Sequence, residues 1–411
     1  MDASAPASGK LITDRSRSFR YVMFGMLYFV QGIIVAFTGN FAKPYLNTFN
    51  IDADLIGLLF TLLLVPFIFK IFYGMLSDRV NLFGRGHRLP YIVVALIISM
   101  AGIFLAGFIN PGENYTLFLI LILAASFAVA LFDTTADALA VDITPLAEQG
   151  RVQSIMTSGR ASGIIVMSLL IGWIASTLGY FWVFMIIALL MALPLFWVLQ
   201  VQEPPHDITK PSFEWRAFGA LLKPQYLIFA AYGILSWIAY QGIEGLVTFY
   251  MSDVLEAVET QIGTYGALKG IGTVVGALMT SWLIGKTSRR TTALIVAGLV
   301  SIGGLVFSFA GSITAVLTLA LFWGIVLGLH WTTYMVLSMT RTDARIAGSM
   351  FAISMAVSNI GSAIGDGVAT GLTDNIGFIN VFRVLAALNL IVLPLLLVVF
   401  RLAPQEETAV L

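Results

Sequence analysis

Long apolar segments dominate this sequence and restrict what it can fold into more than any other feature. A helix needs about 20 mostly apolar residues to cross the hydrocarbon core of a bilayer, which is about 30 Å thick. Twelve such segments occur, separated by polar residues, glycine or proline, and we number them spans 1 to 12. Their predicted limits are 20–46, 55–77, 89–109, 115–142, 151–178, 180–201, 224–250, 261–285, 291–310, 313–340, 346–373 and 377–402.

The composition excludes several classes of protein. Apolar residues make up 59% of the chain and charged residues only 11%, against about 25% charged in soluble domains. Cysteine is absent and there are three scattered histidines, which argues against a zinc site or a thiol nucleophile. The formal net charge is zero, so the molecule as a whole does not attract nucleic acid. We expect a membrane protein that is not an enzyme, with no cofactor, no metal and no nucleic-acid partner.

The basic residues outside the spans all fall on one side of the predicted membrane. Seventeen of the 22 lie in the tails and in every second loop, whereas the alternate loops contain none. These seventeen are Lys10, Arg15, Arg17, Arg20, Arg79, Arg85, Arg88, Arg151, Lys210, Arg216, Lys223, Lys286, Arg289, Arg290, Arg341, Arg345 and Arg401. Short cytoplasmic loops carry an excess of Lys and Arg. The pattern therefore predicts an even number of spans with both termini in the cytoplasm.

Internal repeats indicate a duplicated chain. The tripeptide Gln-Gly-Ile at 31–33 in span 1 recurs at 241–243 in span 7. Three glycines late in the first half recur 198 residues later: Gly150, Gly163 and Gly179 correspond to Gly348, Gly361 and Gly377. We therefore predict a cytoplasmic tail at 1–19, a six-helix bundle at 20–201, a cytoplasmic linker at 202–223, a second six-helix bundle at 224–402 and a tail at 403–411.

The loop between spans 2 and 3 carries a motif that resembles a known family. It contains Gly74-Met-Leu-Ser-Asp78-Arg79 and then Gly84-Arg85-Gly86-His87-Arg88. This resembles the Gly-x-x-x-Asp-Arg and Gly-Arg-x-x-Arg signature of the major facilitator superfamily, with a few extra residues between its two parts. The resemblance implies an all-α membrane protein of 12 transmembrane helices, arranged as two pseudo-symmetric six-helix bundles.

Two branches of the superfamily are similar to this chain over about 28–160. Residues 132–151 are similar to the span-4 signature of the muropeptide-permease and acetyl-CoA-transporter group. The hexapeptide at 28–33 and the pattern that starts at Lys70 are similar to the folate–biopterin transporter family. These resemblances imply import of an amphiphilic or carboxylated solute, such as a muropeptide-like or pteridine-like compound.

Nine charged residues lie inside the predicted spans and more than two residues from a span end. They are Lys43, Lys70, Asp133, Asp137, Arg160, Glu244, Lys269, Asp366 and Arg383. Each charge at the centre of a membrane costs about 2.5–3.5 kcal/mol on insertion scales. Asp133 and Asp137 are four residues apart and share a helix face. One of two such carboxylates keeps a proton at neutral pH unless a cation neutralises it, and Lys70 and Arg160 lie at a suitable depth. The pattern fits a proton-coupling site or a permanent salt-bridge cluster between spans 2, 4 and 5.

Six side chains are candidates for binding the solute in a central cavity. Gln31 and Gln241 form a duplicated amide pair, which suits a neutral or zwitterionic ligand, or else an interhelical hydrogen bond. Glu244 is a candidate for binding the solute or a proton, or else for pairing with Lys269. In span 10, a histidine and two aromatic residues could form a stacking wall with a titratable ring, or else pack in the core or against lipid. They are His330, Trp331 and Tyr334.

Charged residues in two loops resemble the family's cytoplasmic gate, in which carboxylate–guanidinium pairs close one side. They are Asp78, Arg79, Arg85, Arg88, Glu148 and Arg151. Membrane orientation by positive charge alone is the other explanation, although it requires no acid at position 78. Within the spans, Lys70, Arg160, Lys269 and Asp366 are candidates for ion pairs that change between states.

We therefore predict a secondary active transporter that moves a small organic solute by alternating access. Because there is no ATP-binding motif, an ion gradient, above all protons, would supply the energy for symport and import. The same features predict a functional monomer in a prokaryotic inner (plasma) membrane. A non-transporting membrane receptor or assembly factor on the same scaffold is the alternative.

Overall fold

The computed structural model of the chain describes residues 10–204, 219, 222–340 and 347–402. Nearly all of this part is helical, and twelve long helical segments follow one another, labelled α1 to α12. They are α1 Arg17–Asn47, α2 Ala53–Arg79, α3 Leu89–Ala106, α4 Tyr115–Ile143, α5 Leu146–Leu178, α6 Tyr180–Val198, α7 Pro224–Asp253, α8 Glu259–Lys286, α9 Arg289–Phe307, α10 Ile313–Thr340, α11 Ala347–Gly371 and α12 Phe378–Arg401.

In the described part of the chain, eleven of these helices are long and apolar enough to cross a membrane. The exception, α11, contains many glycine, serine and alanine residues together with Asn359 and Asp366. It packs against α2 and α7, and its small residues allow these helices to approach closely. The prediction of an all-helical membrane protein with many long apolar helices is confirmed. Twelve crossings with cytoplasmic termini remain a prediction.

Local sequence signals explain where helices start and break. Ser16 and Asn114 cap α1 and α4, because their side-chain oxygens accept from the backbone N–H groups of Phe19 and Leu117 at 3.2 and 3.1 Å. The α6 segment is interrupted just before and at Pro194. In the second half, α12 is interrupted at Ile391, shortly before a proline at the equivalent position.

The duplicated glycines have matching structural roles. Gly179 and Gly377 join α5 to α6 and α11 to α12, with φ of 88° and 76°, a backbone conformation that favours glycine. A Cβ on Gly163 of α5 would lie 3.0 Å from the Cα of Gly32 in α1. A Cβ on Gly361 of α11 would lie 3.1 Å from the Cα of Ile234 in α7. The repeat therefore preserves the same close helix contacts in both halves of the chain.

The N-terminal segment packs against the end of α6. Lys10–Leu11 and Val201–Gln202 form a two-residue parallel strand pair, β1 and β2, and the Arg15 guanidinium donates to the Gln200 carbonyl at 2.7 Å. Ile12 is fully buried. The expected N-terminal tail thus includes a docked segment before α1. Residues 1–9, most of the predicted linker and the predicted C-terminal tail lie outside the described residues, and the predicted domain division stays a prediction.

The molecule has two ends of different charge. At one end, called the basic face, lie the start of α1, the loops 80–88 and 144–145, and Lys286 to Arg290. At the other, called the opposite face, the Asn47 amide donates to Asp253 at 3.0 Å and the Ala53 N–H donates to Asp374 at 3.0 Å. Helices from the two halves of the chain pack together as α2 with α11, and α5 with α8.

We expect Gly272→Val to destabilise the protein. A Cβ at Gly272 would lie 3.0 Å from the Cα of Gly324, so a larger side chain pushes α8 and α10 apart. Overpacking of this kind costs about 1–3 kcal/mol. Gly298→Val is the matched control, because no atom of the described residues lies within 4 Å of a Cβ at Gly298. Thermal unfolding in detergent should show a lower Tm for Gly272→Val alone, and equal shifts would contradict the close α8–α10 contact.

Candidate functional site

A first group of buried charges joins α1, α2 and α4. Lys70 forms an ion pair with Asp133, and the Gln31 amide donates a hydrogen bond to the same carboxylate. One turn earlier on α1, the Tyr28 hydroxyl donates to Asp137. Asp133 is only 4% exposed. The structure thus brings together four predicted site residues and adds Tyr28. Both a proton-coupling site and a permanent salt-bridge cluster predict these contacts, so both explanations stay open.

A break in α2 sets the position of Lys70. The helix ends at Ile68 and restarts at Lys70, with Phe69 outside helical geometry. Pro66 lies in the turn before the break and has no N–H to donate. The carbonyl of Phe67 accepts from the side-chain amide of Asn359 in α11 at 3.0 Å. A backbone carbonyl of the interrupted turn is therefore hydrogen-bonded by a side chain from the other half of the chain. This contact lies close in sequence to Lys70, which pairs with Asp133.

Arg160 of α5 has a different environment from Lys70. Its guanidinium lies 5.8 Å from the ring centre of Trp331 in α10. It interacts electrostatically with Asp137 in its own half of the chain and with Tyr240 in the other. It makes no ion pair with any carboxylate among the described residues. Arg160, expected to neutralise the α4 carboxylates, thus lies near Asp137 without forming an ion pair, and its guanidinium contacts the Trp331 ring.

His330 lies in an aromatic group between α7 and α10. Its ring stacks on Tyr240 with centres 4.4 Å apart, and Trp237 approaches edge-on at 5.2 Å. His330 Nε2 is 3.3 Å from the Ser236 hydroxyl. His330 Nδ1 and Trp237 Nε1 are buried and have no hydrogen-bond partner in the described part of the chain. These two polar atoms are available to a polar group that enters between the helices.

The other predicted solute-binding residues on α7 and α10 differ in exposure. Trp331 is 38% exposed and meets Trp237 edge-on at 5.0 Å. Tyr334 is fully buried, stacks on Phe229 and donates to the Ser354 carbonyl at 2.8 Å. Gln241 is half-buried. Trp331 therefore has surface that a solute can contact, whereas Tyr334 packs three helices together.

A second group of buried charges lies nearer the opposite face. Lys269 of α8 pairs with Glu244 of α7, and the Trp323 indole donates to the same carboxylate at 2.9 Å. Lys269 also donates to the Asn40 amide oxygen at 2.8 Å, and the Asn40 nitrogen donates to Ser168 at 3.1 Å. Asn40 lies in a π-helical segment of α1. The pairing of Glu244 with Lys269 was one of the two predicted alternatives, and in this structure it is present.

Lys43 connects this second group to α11. It forms an ion pair with Asp366 and donates to the Gly245 carbonyl and the Thr370 hydroxyl at 2.7 and 2.8 Å. Its ammonium also lies 4.7 Å from the ring centre of Phe60. Lys43 is 3% exposed and Asp366 is 4% exposed. This ion pair links the first half of the chain to the second. The sequence placed Lys43 inside span 1 but did not predict that Asp366 is its partner.

The loop after α2 holds one of the predicted gate arrangements. Arg88 pairs with Asp78 and with Asp142 at the end of α4, the second at 2.9 Å. Arg79 and Arg85 are exposed. Thus the motif brings Asp78 and Arg88 together, and Asp142 is a third member that sequence reasoning missed. The acid could have been noticed because it follows Asp133 and Asp137 on the same helix.

The other predicted gate residues, Glu148 and Arg151, lie near the start of α5 and contact the start of α1. Glu148 pairs with Arg17 at 2.8 Å and with Arg20 at 3.5 Å, both at the start of α1. Arg151 lies 5.7 Å from the ring centre of Tyr21. These residues therefore fasten the α4–α5 junction to α1 and lie apart from the Asp78–Arg88 pair.

Glu203 is a further residue that sequence reasoning missed. Its carboxylate accepts from the backbone N–H groups of Arg88 and Leu89 at 2.8 and 2.9 Å, and also from that of His87. These are unpaired donors at the N-terminus of α3, where a negative charge is favourable. The sequence signals were an acid shortly after span 6 and a Leu-Pro pair that marks the start of span 3. Within the described residues no group of three potential metal ligands converges.

Comparisons with known proteins agree with this geometry. The profile of the Major Facilitator Superfamily matches residues 24–366. The anhydromuropeptide permease of Escherichia coli K12 is 25% identical over 82% of this chain and 70% of its own length. The probable folate-biopterin transporter 4 of Arabidopsis thaliana is 22% identical over 94% of this chain and 95% of its own.

Solved structures show the same fold. The nucleoside transporter NupG superposes with a TM-score of 0.75 at 14% identity, covering 93% of this chain and 98% of that one. A D-xylose-proton symporter superposes with a TM-score of 0.66 at 18% identity, covering 94% and 96%. Together these matches make the chain a multi-pass membrane transporter of small solutes and not an enzyme, and the suspected family resemblance is confirmed.

We expect Lys70→Met to destabilise the protein by about 3 kcal/mol, because it leaves the buried Asp133 carboxylate without its cation. The double variant Lys70→Met/Asp133→Asn should recover most of this loss, since no unpaired charge remains. Thermal unfolding in detergent measures both, with Lys223→Met at an exposed position as the control. If the double variant is no more stable than Lys70→Met, the ion pair with Asp133 is not the reason why Lys70 stabilises the protein.

Proposed function

The chain belongs to the Major Facilitator Superfamily, and we propose that it is a proton-coupled secondary active transporter that imports a small organic solute by alternating access. The proposal includes twelve transmembrane helices in two six-helix bundles, joined by a linker at 202–223. The basic face, with both termini, lies in the cytoplasm of a prokaryotic cell, because positive charge stays inside. The unit is a monomer. An anhydromuropeptide or a pteridine is the solute class that the named relatives favour.

The observation that carries this proposal is the pair of buried charge groups at different depths. Charges inside a membrane protein are costly and are kept where they pair, hydrate or act on an ion or solute. The first group, around Lys70 and Asp133, lies within one half of the chain. The second includes the Lys43–Asp366 pair, which joins the two halves. A transporter that opens alternately at its two ends needs both a site between its halves and contacts that form in one state only.

In this proposal the solute lies between the helices that carry the aromatic and amide side chains. Gln31, Gln241, His330 and Trp331 contact it, and Trp237 supplies an indole N–H. Tyr334 supports the α10 wall from behind. Asp133, Asp137 and Glu244 exchange the coupling proton, because each has a partner whose loss changes its charge balance. The wall and the carboxylates together suit an amphiphilic solute with a polar end.

The ion pairs act as gates in the same proposal. Lys43–Asp366 and Lys269–Glu244 hold the opposite face closed. On the basic face, the Asp78–Arg88 pair and the junction of Glu148 with α1 hold the first bundle in shape, with Arg151 beside it. Arg79 and Arg85 are exposed and contribute positive charge for orientation.

We expect Asp137→Asn to reduce proton-driven accumulation of solute by about tenfold or more, because a neutral amide neither binds nor releases a proton. The measurement is uptake of anhydromuropeptide and of folate into proteoliposomes with and without a proton gradient. Exchange of labelled for unlabelled solute without a gradient should persist in the variant. Glu113→Gln, at an exposed loop position, is the control. Normal gradient-driven uptake in both Asp133→Asn and Asp137→Asn would rule out the coupling role.

We expect Asp366→Asn to open the opposite face more often, because the buried Lys43 loses its counter-ion in the closed state. The chain has no cysteine, so a cysteine at the fully buried Ser168 reports this opening by its reaction with a thiol reagent. Its labelling rate should rise by about tenfold or more. Glu256→Gln, at an exposed loop position near the same face, provides the control. An unchanged labelling rate in Asp366→Asn would mean that the Lys43–Asp366 pair does not hold this face closed.

A further inference from the structure

Arg160 is a half-buried guanidinium inside a membrane helix, and it forms no ion pair with any carboxylate of the described residues, although it interacts with Asp137. Of the other cations inside the spans, Lys43, Lys70 and Lys269 each pair with a carboxylate. Arg383 is exposed and donates to the Ser308 hydroxyl at 3.4 Å. A half-buried intramembrane cation that forms no ion pair is a functional candidate. We therefore expect the anionic partner of Arg160 to be a molecule that the protein binds.

The surroundings of Arg160 point to where that partner lies. The guanidinium is 5.8 Å from the ring centre of Trp331, and that ring is 38% exposed. Arg160 also interacts with Asp137 of the first half and with Tyr240 of the second. The side chain therefore lies between the two halves of the chain, where the proposed transport pathway runs. A molecule that touches Arg160 from this side also meets the face or edge of Trp331.

A planar guanidinium has five donors and matches a carboxylate with two parallel hydrogen bonds. The neighbouring indole suits an apolar or aromatic group attached to that carboxylate. We infer that Arg160 and Trp331 form a subsite for a carboxylate group of the solute, with the apolar part of the solute against the indole. This inference rests on the proposed transport function only in identifying the bound anion as the solute. It narrows the solute to an organic anion.

The nearby carboxylates do not replace such an anion. Asp133 is taken by Lys70 and Gln31, and Asp137 accepts from Tyr28. A carboxylate that binds Arg160 therefore adds a new ion pair and does not break an existing one. A neutral analogue of equal shape cannot form this ion pair with Arg160. The charged compound should therefore bind more tightly than its neutral analogue.

Benzoate and benzamide are a matched pair of probes with and without the charge. Phenylglyoxal modifies accessible guanidinium groups, and mass spectrometry reports each arginine separately. We expect benzoate to slow modification of Arg160 several-fold in the purified full-length protein, and benzamide to leave it unchanged. The exposed Arg79 and Arg85 are internal controls that neither compound should protect. Equal protection by benzamide, or none by benzoate, overturns the inference.

Variants test the two halves of the subsite. A ligand that binds the folded state raises Tm. Benzoate should raise the Tm of the wild type. It should raise the Tm of Arg160→Lys by a smaller amount and leave the Tm of Arg160→Gln unchanged. Trp331→Leu should weaken benzoate binding roughly threefold to tenfold, whereas Trp331→Phe should not. An unchanged response of Arg160→Gln to benzoate overturns the inference, and Arg160→Lys keeps the test valid if the glutamine variant fails to fold.

These binding measurements need no gradient and no transport. Protection of Arg160 by benzoate together with no accumulation of any solute in proteoliposomes would refute the transport proposal and leave the anion subsite standing. Gradient-driven uptake that is equally fast for folate and for the carboxylate-free biopterin, in the wild type and in Arg160→Gln, would refute the subsite and leave transport standing.

Discussion

The cost of placing charge among apolar helices is the constraint on which the rest of this structure depends. An isolated charge at the centre of a membrane costs several times thermal energy, so it survives only with a partner. In this chain Lys70 meets Asp133, Lys43 meets Asp366 and Lys269 meets Glu244. Each pair comes from two different helices, and therefore the charges that are most costly alone also fix which helices lie side by side.

Much of the fold could be predicted from the sequence, because helix length and hydropathy are local properties. The predicted limits 115–142 compare with Tyr115–Ile143 for α4, and two of the repeated glycines, Gly179 and Gly377, lie at helix junctions with positive φ. The basic and acidic ends were also expected from charge alone. Span 11 was found in the same way as the other spans, although the corresponding helix α11 contains many small residues together with Asn359 and Asp366.

The partners of the buried charges could not be predicted to the same degree, because depth along a helix does not give the direction in which a side chain points. Successive residues differ by about 100° around the helix axis. A π-helical segment at Phe37–Phe41 adds a residue to a turn of α1 and so rotates everything after it, including Lys43. The break at Phe69 does the same for Lys70. Each irregularity lies shortly before a buried lysine, Lys43 or Lys70. Regular helical spacing, on which the sequence analysis depends, predicts neither irregularity.

Helix α1 takes part in both charge groups, and this links them physically. Gln31 bonds to Asp133 and Lys43 pairs with Asp366, twelve residues or about 18 Å further along the helix. The first contact lies within one half of the chain, whereas the second crosses to the other half. A movement that separates the halves at the opposite face must break the Lys43 contact, while the Gln31 contact can move with its own half. The first group can therefore keep its pairs in both states, and protonation of Asp133 or Asp137 is the event that changes them.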